Sequence, residues 1–174
     1  MTTSLEHLAA SVGNALKNRQ LLLATAESCT GGGLSYWITS IPNSSQWFDR
    51  GFVTYSNAAK IELLGVNPLT LDTFGAVSEP TVREMAEKAL VNSDADISIA
   101  ITGIAGPNGG TPDKPVGTVW LAWARLNRPT QTFVDVFTGD RTKIREKVIE
   151  KALTSLLDLL NDSTAPTPPD LLHR

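Results

Sequence analysis

The stretch TAESCTGGG, residues 25 to 33, sets Ser28 and Cys29 side by side just ahead of three glycines. A hydroxyl or thiol at a glycine-rich turn has the parts for covalent attack on a carbonyl. It offers a nucleophile, and glycines 31 to 33 at a helix start offer backbone N–H groups for the developing oxyanion. Either nucleophile needs a group to take its proton. The two histidines, His7 and His173, adjoin no such motif, so a Ser-His-Asp or Cys-His arrangement is not expected. A lysine can serve instead. TYSNAAK, residues 54 to 60, supplies Lys60 together with Tyr55. As a base Lys60 must be neutral, which takes desolvation or nearby positive charge. Tyr55 would relay the proton or hold the substrate. A plainer alternative stands beside this one: Ser28 as an N-cap, Lys60 as a solvated surface charge, Tyr55 as a strand-end aromatic. If the turn aims Ser28 into a site, Cys29 faces elsewhere and packs as a small hydrophobe.

Two further features suit a ligand with a phosphate. The loop GIAGPNGGTPDKP, residues 103 to 115, is long, flexible and rich in backbone donors. Arg141, in TGDR, opens the last expected helix, where an anion meets both a guanidinium and a helix N-terminus. Neither stretch is a known phosphate motif. Lys114 lacks the G-K-[ST] context of a P-loop, and the glycines at 103, 106 and 109 miss the G-x-G-x-x-G spacing. One cysteine and two scattered histidines give no clustered zinc ligands, so no metal and no cofactor is expected.

The elements around these residues follow from periodicity. Residues 3 to 18 carry apolar positions at helical spacing, and LLLATA, 21 to 26, reads as a buried strand. A helix is expected over 29 to 39, which makes residues 28 to 33 a strand-to-helix junction. GFVTY, 51 to 55, reads as a second strand, followed by a short helix from a Ser56 cap to a Gly65 stop. Ser78 caps a helix to about Val91, with Pro80 tolerated in its first turn. DISIAIT, 96 to 102, is a third strand, and 116 to 126 with 132 to 139 form a hairpin. Asp140 caps a helix to about Leu160. Such alternation predicts an α/β protein, a three-layer α/β/α sandwich with a mixed, mostly parallel sheet. The expected division is one domain over 1 to 160 and a Pro-rich, polar tail over 161 to 174. Sites in such sheets gather at the carboxyl ends of strands, where TAESCTGGG, TYSNAAK and TGIAGPNGG would converge.

Bulk composition narrows the partners. The 174 residues suit one domain with a proper core, and 41% of them are apolar. A net charge of −3 without a basic run argues against nucleic acid. A single cysteine fits a reducing compartment. The first residues do not read as a signal peptide and no apolar run is long enough for a membrane, so a soluble cytoplasmic protein is expected.

Taken in order, AESCTGG, GFVTYSNAAK, GAVSE, TGIAGPNGGTPDKPVGTVW and FTGDR resemble the CinA C-terminal domain family over roughly residues 5 to 160. The resemblance implies an α/β/α fold, often as a homodimer. It also implies hydrolysis of the carboxamide of nicotinamide mononucleotide to nicotinate mononucleotide and ammonia. Carried over, Ser28 is the nucleophile, Lys60 the base and Tyr55 the assisting hydroxyl. Thr30 and Gly31 at the nucleophile turn, with Thr102, Gly103 and Gly106 in the loop motif, are implied to bind substrate. Arg141 is implied to bind the phosphate, and Ser45, in NSSQWF, to line the pocket. The loop GPNGGTPDKP is a stretch in which members vary. The rival reading is a non-catalytic nucleotide- or partner-binding module related to competence or damage-inducible proteins.

Overall fold

The computed structural model describes residues 4–162. The Pro-rich tail expected over 161 to 174 lies outside the described residues from 163 onward, and Asn161 still belongs to the last helix.

Five strands form one sheet: β1 (Leu23–Glu27), β2 (Phe48–Val53), β3 (Ile97–Gly103), β4 (Thr118–Arg125) and β5 (Gln131–Val136), in the spatial order β2-β1-β3-β4-β5. β1 pairs parallel with both β2 and β3, while β3–β4 and β4–β5 are antiparallel. Only β4 therefore runs against the other strands, which agrees with the mixed, mostly parallel expectation.

Helices cover both faces. α1 (Ser4–Asn18), α2 (Gly33–Thr39) and α6 (Arg141–Asn161) pack over Leu23, Ile97, Ile99, Ile101, Leu121 and Trp123. On the other face α5 (Glu79–Val91) lies on Ala26, Ala100, Ala122 and Ala124. Small side chains there let α5 approach the sheet closely. Ser98 Oγ donates to Ala86 O of that helix at 2.7 Å, which satisfies a buried hydroxyl.

The caps read from the sequence are made. Ser56 Oγ accepts from Ala59 N at 3.0 Å, Ser78 Oγ from Thr81 N at 3.4 Å and Asp140 Oδ1 from Lys143 N at 2.8 Å. The Ser56 helix, α3 (Asn57–Ala59), widens into a π turn over Lys60–Leu64 and stops at Gly65, φ 76°. Several bounds differ from expectation, and β5 ends at Val136 rather than 139. β2 starts and ends earlier than 51 to 55, because Thr54 N turns to bond Glu27 O and Tyr55 leaves the ladder. α2 begins at Gly33 rather than 29, because tight turns occupy residues 28 to 32. A further helix, α4 (Pro68–Phe74), went unread despite its Asn67 cap and Pro68 at the start.

Candidate active site

The carboxyl ends of β1, β2 and β3 meet, as expected of an α/β sheet. Ser28 follows β1 directly, and Ser28 N donates to Ile101 O of β3 at 3.0 Å. On the other side, Glu27 O accepts from Thr54 N at 2.8 Å. Backbone bonds to both neighbours thus fix where the serine leaves the sheet.

Lys60 comes from the neighbouring crossover. Its side chain is 1% exposed, and Nζ lies 3.1 Å from Ser28 Oγ. The same nitrogen is 2.9 Å from Thr54 O and 3.5 Å from Tyr55 O. A neutral amine has two N–H donors and one lone pair. Nζ stands as donor in all three contacts, and a neutral amine keeps the same geometry by donating to the two carbonyls and accepting the Ser28 hydroxyl proton. Burial lowers the Lys60 pKa from the ordinary lysine value, and no carboxylate among the described residues hydrogen-bonds the amine to oppose it. The plain reading of Lys60 as a solvated surface charge is excluded.

Cys29 is buried at 6% exposure, and burial pushes its thiol up to about 12. Arg145, Arg141 and its own amide pull the other way without offsetting desolvation. A thiol so raised stays protonated at neutral pH and is a poor nucleophile. It sits in the core with Leu34 and Ile101, as a small hydrophobe does.

The glycine turn differs from expectation. Gly31 (φ 56°) and Gly32 (φ 90°) adopt the left-handed region that glycine tolerates. Their run does not leave three free amides, because Gly31 N donates to Ser28 O and Gly33 N to Thr30 O, both at 3.0 Å. Thr30 is fully buried, and its carbonyl also accepts from Arg145 Nη2 at 2.7 Å.

Tyr55 and Arg141 stand at the rim. The Tyr55 ring is 58% exposed, and its hydroxyl accepts from Arg141 Nη2 at 2.9 Å. Arg141 Nη1 donates to Gly106 O at 2.8 Å. These bonds tie the end of β2, the start of α6 and the long loop together. The Tyr55 hydroxyl therefore meets a guanidinium, and the backbone carbonyl of Tyr55 is what meets Lys60.

Two expected positions fall elsewhere. Thr102 Oγ1 donates to Ala76 O at 2.8 Å, on the α5 side of the sheet, so its hydroxyl is engaged structurally. Ser45 lies in the turn Ser44–Gln46 before β2, at the opposite end of that strand from Thr54 and Tyr55. Within one chain it does not join Ser28 and Lys60. Gly103 has a steric role: a Cβ there would lie 2.7 Å from Thr118 O and 2.8 Å from Val119 Cα. Glu27, Thr54 and Arg145 went unread. An acid ending the apolar run LLLATAE was the available signal for Glu27, and i,i+4 spacing from Arg141 was the signal for Arg145.

No group of three or more metal-ligating side chains occurs among the described residues. A cavity of about 260 Å³ lined by Trp123, Phe133 and Leu159 lies at the far end of β4 and β5 and holds none of the candidate residues.

Fold and site together define an α/β/α protein with a buried lysine against a serine at the carboxyl edge of its sheet. The model of the CinA C-terminal domain matches residues 5–160, and the chain belongs to that family. It is 51% identical over 157 residues to the nicotinamide-nucleotide amidohydrolase PncC of Escherichia coli K12, covering 90% of this chain and 95% of that one. A CinA-like protein of Akkermansia muciniphila is 52% identical over 82% of this chain, which spans about a third of that protein's length (34%). Among solved structures, the competence damage-inducible protein A of Klebsiella pneumoniae superposes with a TM-score of 0.89 at 39% identity, covering 92% of this chain and 99% of that one. The competence/damage inducible protein of Agrobacterium tumefaciens gives 0.87 at 43% identity, covering 92% and 97%.

Proposed function

We propose that the chain is an amidohydrolase that converts nicotinamide mononucleotide and water to nicotinate mononucleotide and ammonia through a Ser28–Lys60 pair. The observation that carries this reading is the buried Lys60 amine, depressed in pKa, 3.1 Å from Ser28 Oγ. The activity in the name of the PncC relative supplies the substrate class.

In this reading Lys60 takes the Ser28 proton as the hydroxyl attacks the carboxamide carbon. The oxyanion is held by amides the internal turns leave over, drawn from Thr30 and Gly32. Lys60 returns its proton to the departing nitrogen, ammonia leaves, and water hydrolyses the acyl-enzyme with Lys60 again as base. The substrate's pyridinium cation disfavours a charged lysine beside it, which keeps the base neutral. Arg141 takes the phosphate, and Tyr55 positions Arg141 rather than carrying the proton. A homodimer and a cytoplasmic location belong to the same proposal. Sedimentation and cell fractionation test them. Among the described residues, no helix is long and apolar enough to cross a membrane.

Ammonia release from nicotinamide mononucleotide tests the reading, with Ser28→Ala and Cys29→Ala alongside. Turnover in the wild type and the cysteine variant, lost in the serine variant, supports it. Nucleotide binding without turnover in the wild type favours the binding module instead.

A further inference from the structure

The buried acid beside the nucleophile has no place in the chemistry above, yet its contacts are all local to it. Glu27 is fully buried. Its Oε2 accepts from Leu34 N at 3.0 Å, and its Oε1 accepts from Ser35 N at 2.8 Å and from Ser35 Oγ at 2.7 Å. Ser35 Oγ lies 2.8 Å from Thr25 Oγ1 as well. Among the described residues no lysine or arginine forms a salt bridge with this carboxylate. Its charge is met by donors at the start of α2 instead.

Those donors are the ones a helix usually satisfies from its own N-cap. Here the N-cap is Gly32, in the left-handed region and without a side chain to accept anything. The first helical residue, Gly33, is equally confined, since a Cβ there would lie 3.0 Å from Ile149 Cδ1. The cap therefore comes from the strand. Glu27 directly precedes Ser28, and Leu34 directly follows Gly33. One carboxylate thus clamps the two ends of the turn that carries the nucleophile and the unspent amides.

We infer that Glu27 is a positioning residue for the amide hydrolysis: it holds Ser28 and the oxyanion donors in register by capping α2 from outside the helix. The inference rests on the reading of Ser28 as nucleophile. A glutamine at 27 keeps the size but puts an NH2 donor against one of the helix donors. That clash moves the turn without touching substrate.

The test compares wild type, Glu27→Gln, Ser35→Ala and Ser28→Ala. With nicotinamide mononucleotide, Glu27→Gln is expected to lose about 10- to 100-fold in kcat, as misplaced oxyanion donors do. KM and the affinity for nicotinate mononucleotide should hold within about 3-fold, because nothing that binds the nucleotide has changed. Ser35→Ala, which keeps the charge and removes one of the three bonds, should show a smaller kcat loss and serves if the glutamine variant does not fold. Unchanged kcat in a folded Glu27→Gln, or in Ser35→Ala when only that variant folds, overturns the inference. So does a kcat loss matched by an equal loss of product binding. Phenylmethylsulfonyl fluoride separates the two levels. Ser28 Oγ would bond the sulfur, fluoride would leave, and the serine proton would pass to Lys60. Wild type labelled at Ser28, with slower labelling in Glu27→Gln, supports the positioning role; equal rates overturn it. Wild type that neither labels nor turns over sinks the parent reading, and with it the catalytic meaning of the clamp.

Discussion

At the scale of residues, the site turns on how one amine is kept neutral. Desolvation lowers the Lys60 pKa, so kcat/KM for nicotinamide mononucleotide should climb with pH through an inflection below 10.5 and fall away on the acid side. A pH–rate profile checks this; an inflection at or above the ordinary lysine value would remove Lys60 from the role of base. Lys60→Met should abolish ammonia release while circular dichroism stays native. Arg141 makes a different kind of contribution. Arg141→Ala should raise KM by about 10- to 100-fold, as loss of a charge-assisted bond does, with kcat changed much less. Tyr55→Phe separates relay from positioning. As a partner of Arg141 alone, it should raise KM and leave the pH inflection in place.

Elements decide whether these side chains meet. Gly103 ends β3 where β4 crosses close behind it. Gly103→Ala should destabilise the fold by about 1–3 kcal/mol, since an added methyl meets backbone rather than a movable side chain. Chemical denaturation measures that loss. Much at this level was readable. Apolar spacing and the Ser56, Ser78 and Asp140 caps placed α1, α3, α5 and α6, a helix was expected over α2 with an earlier start, and periodicity placed the strands. What was not readable has physical causes. Thr102 was assigned to the site from its motif, yet residues alternate across a strand. With Ile97, Ile99 and Ile101 facing α1 and α6, Thr102 shares the opposite face with Ser98 and Ala100. Ser45 precedes β2, and only the observed strand direction shows that it lies at the opposite end of that strand from Thr54 and Tyr55. The clamp by Glu27 joins strand to helix through side-chain geometry, which no local periodicity reports.

For the whole molecule, Lys60 links folding to pH. The unfolded chain holds its lysine proton up to the ordinary value near 10.5, whereas the folded chain releases it at lower pH. Between those two values the unfolded state binds more protons, so stability rises with pH there. Lys60→Met removes that dependence. The stability of wild type relative to the variant should therefore improve as pH rises towards 10.5 and level off below the folded pKa. Urea titrations of both proteins across that range measure the slope; parallel curves would mean that burial does not depress the amine.

The strand order has a kinetic corollary. Ser28 hangs from β1, which is flanked on both sides, while Lys60 follows β2, which has a single hydrogen-bonded neighbour. Nucleophile and base are thus moored to parts of the sheet with unequal hold. Border strands open in subglobal fluctuations that leave the interior intact. Catalytic competence should then vanish at urea concentrations where amide-exchange protection of β3 and β4 is still native. Inactivation in this molecule would gauge the detachment of one strand, well before it gauges unfolding.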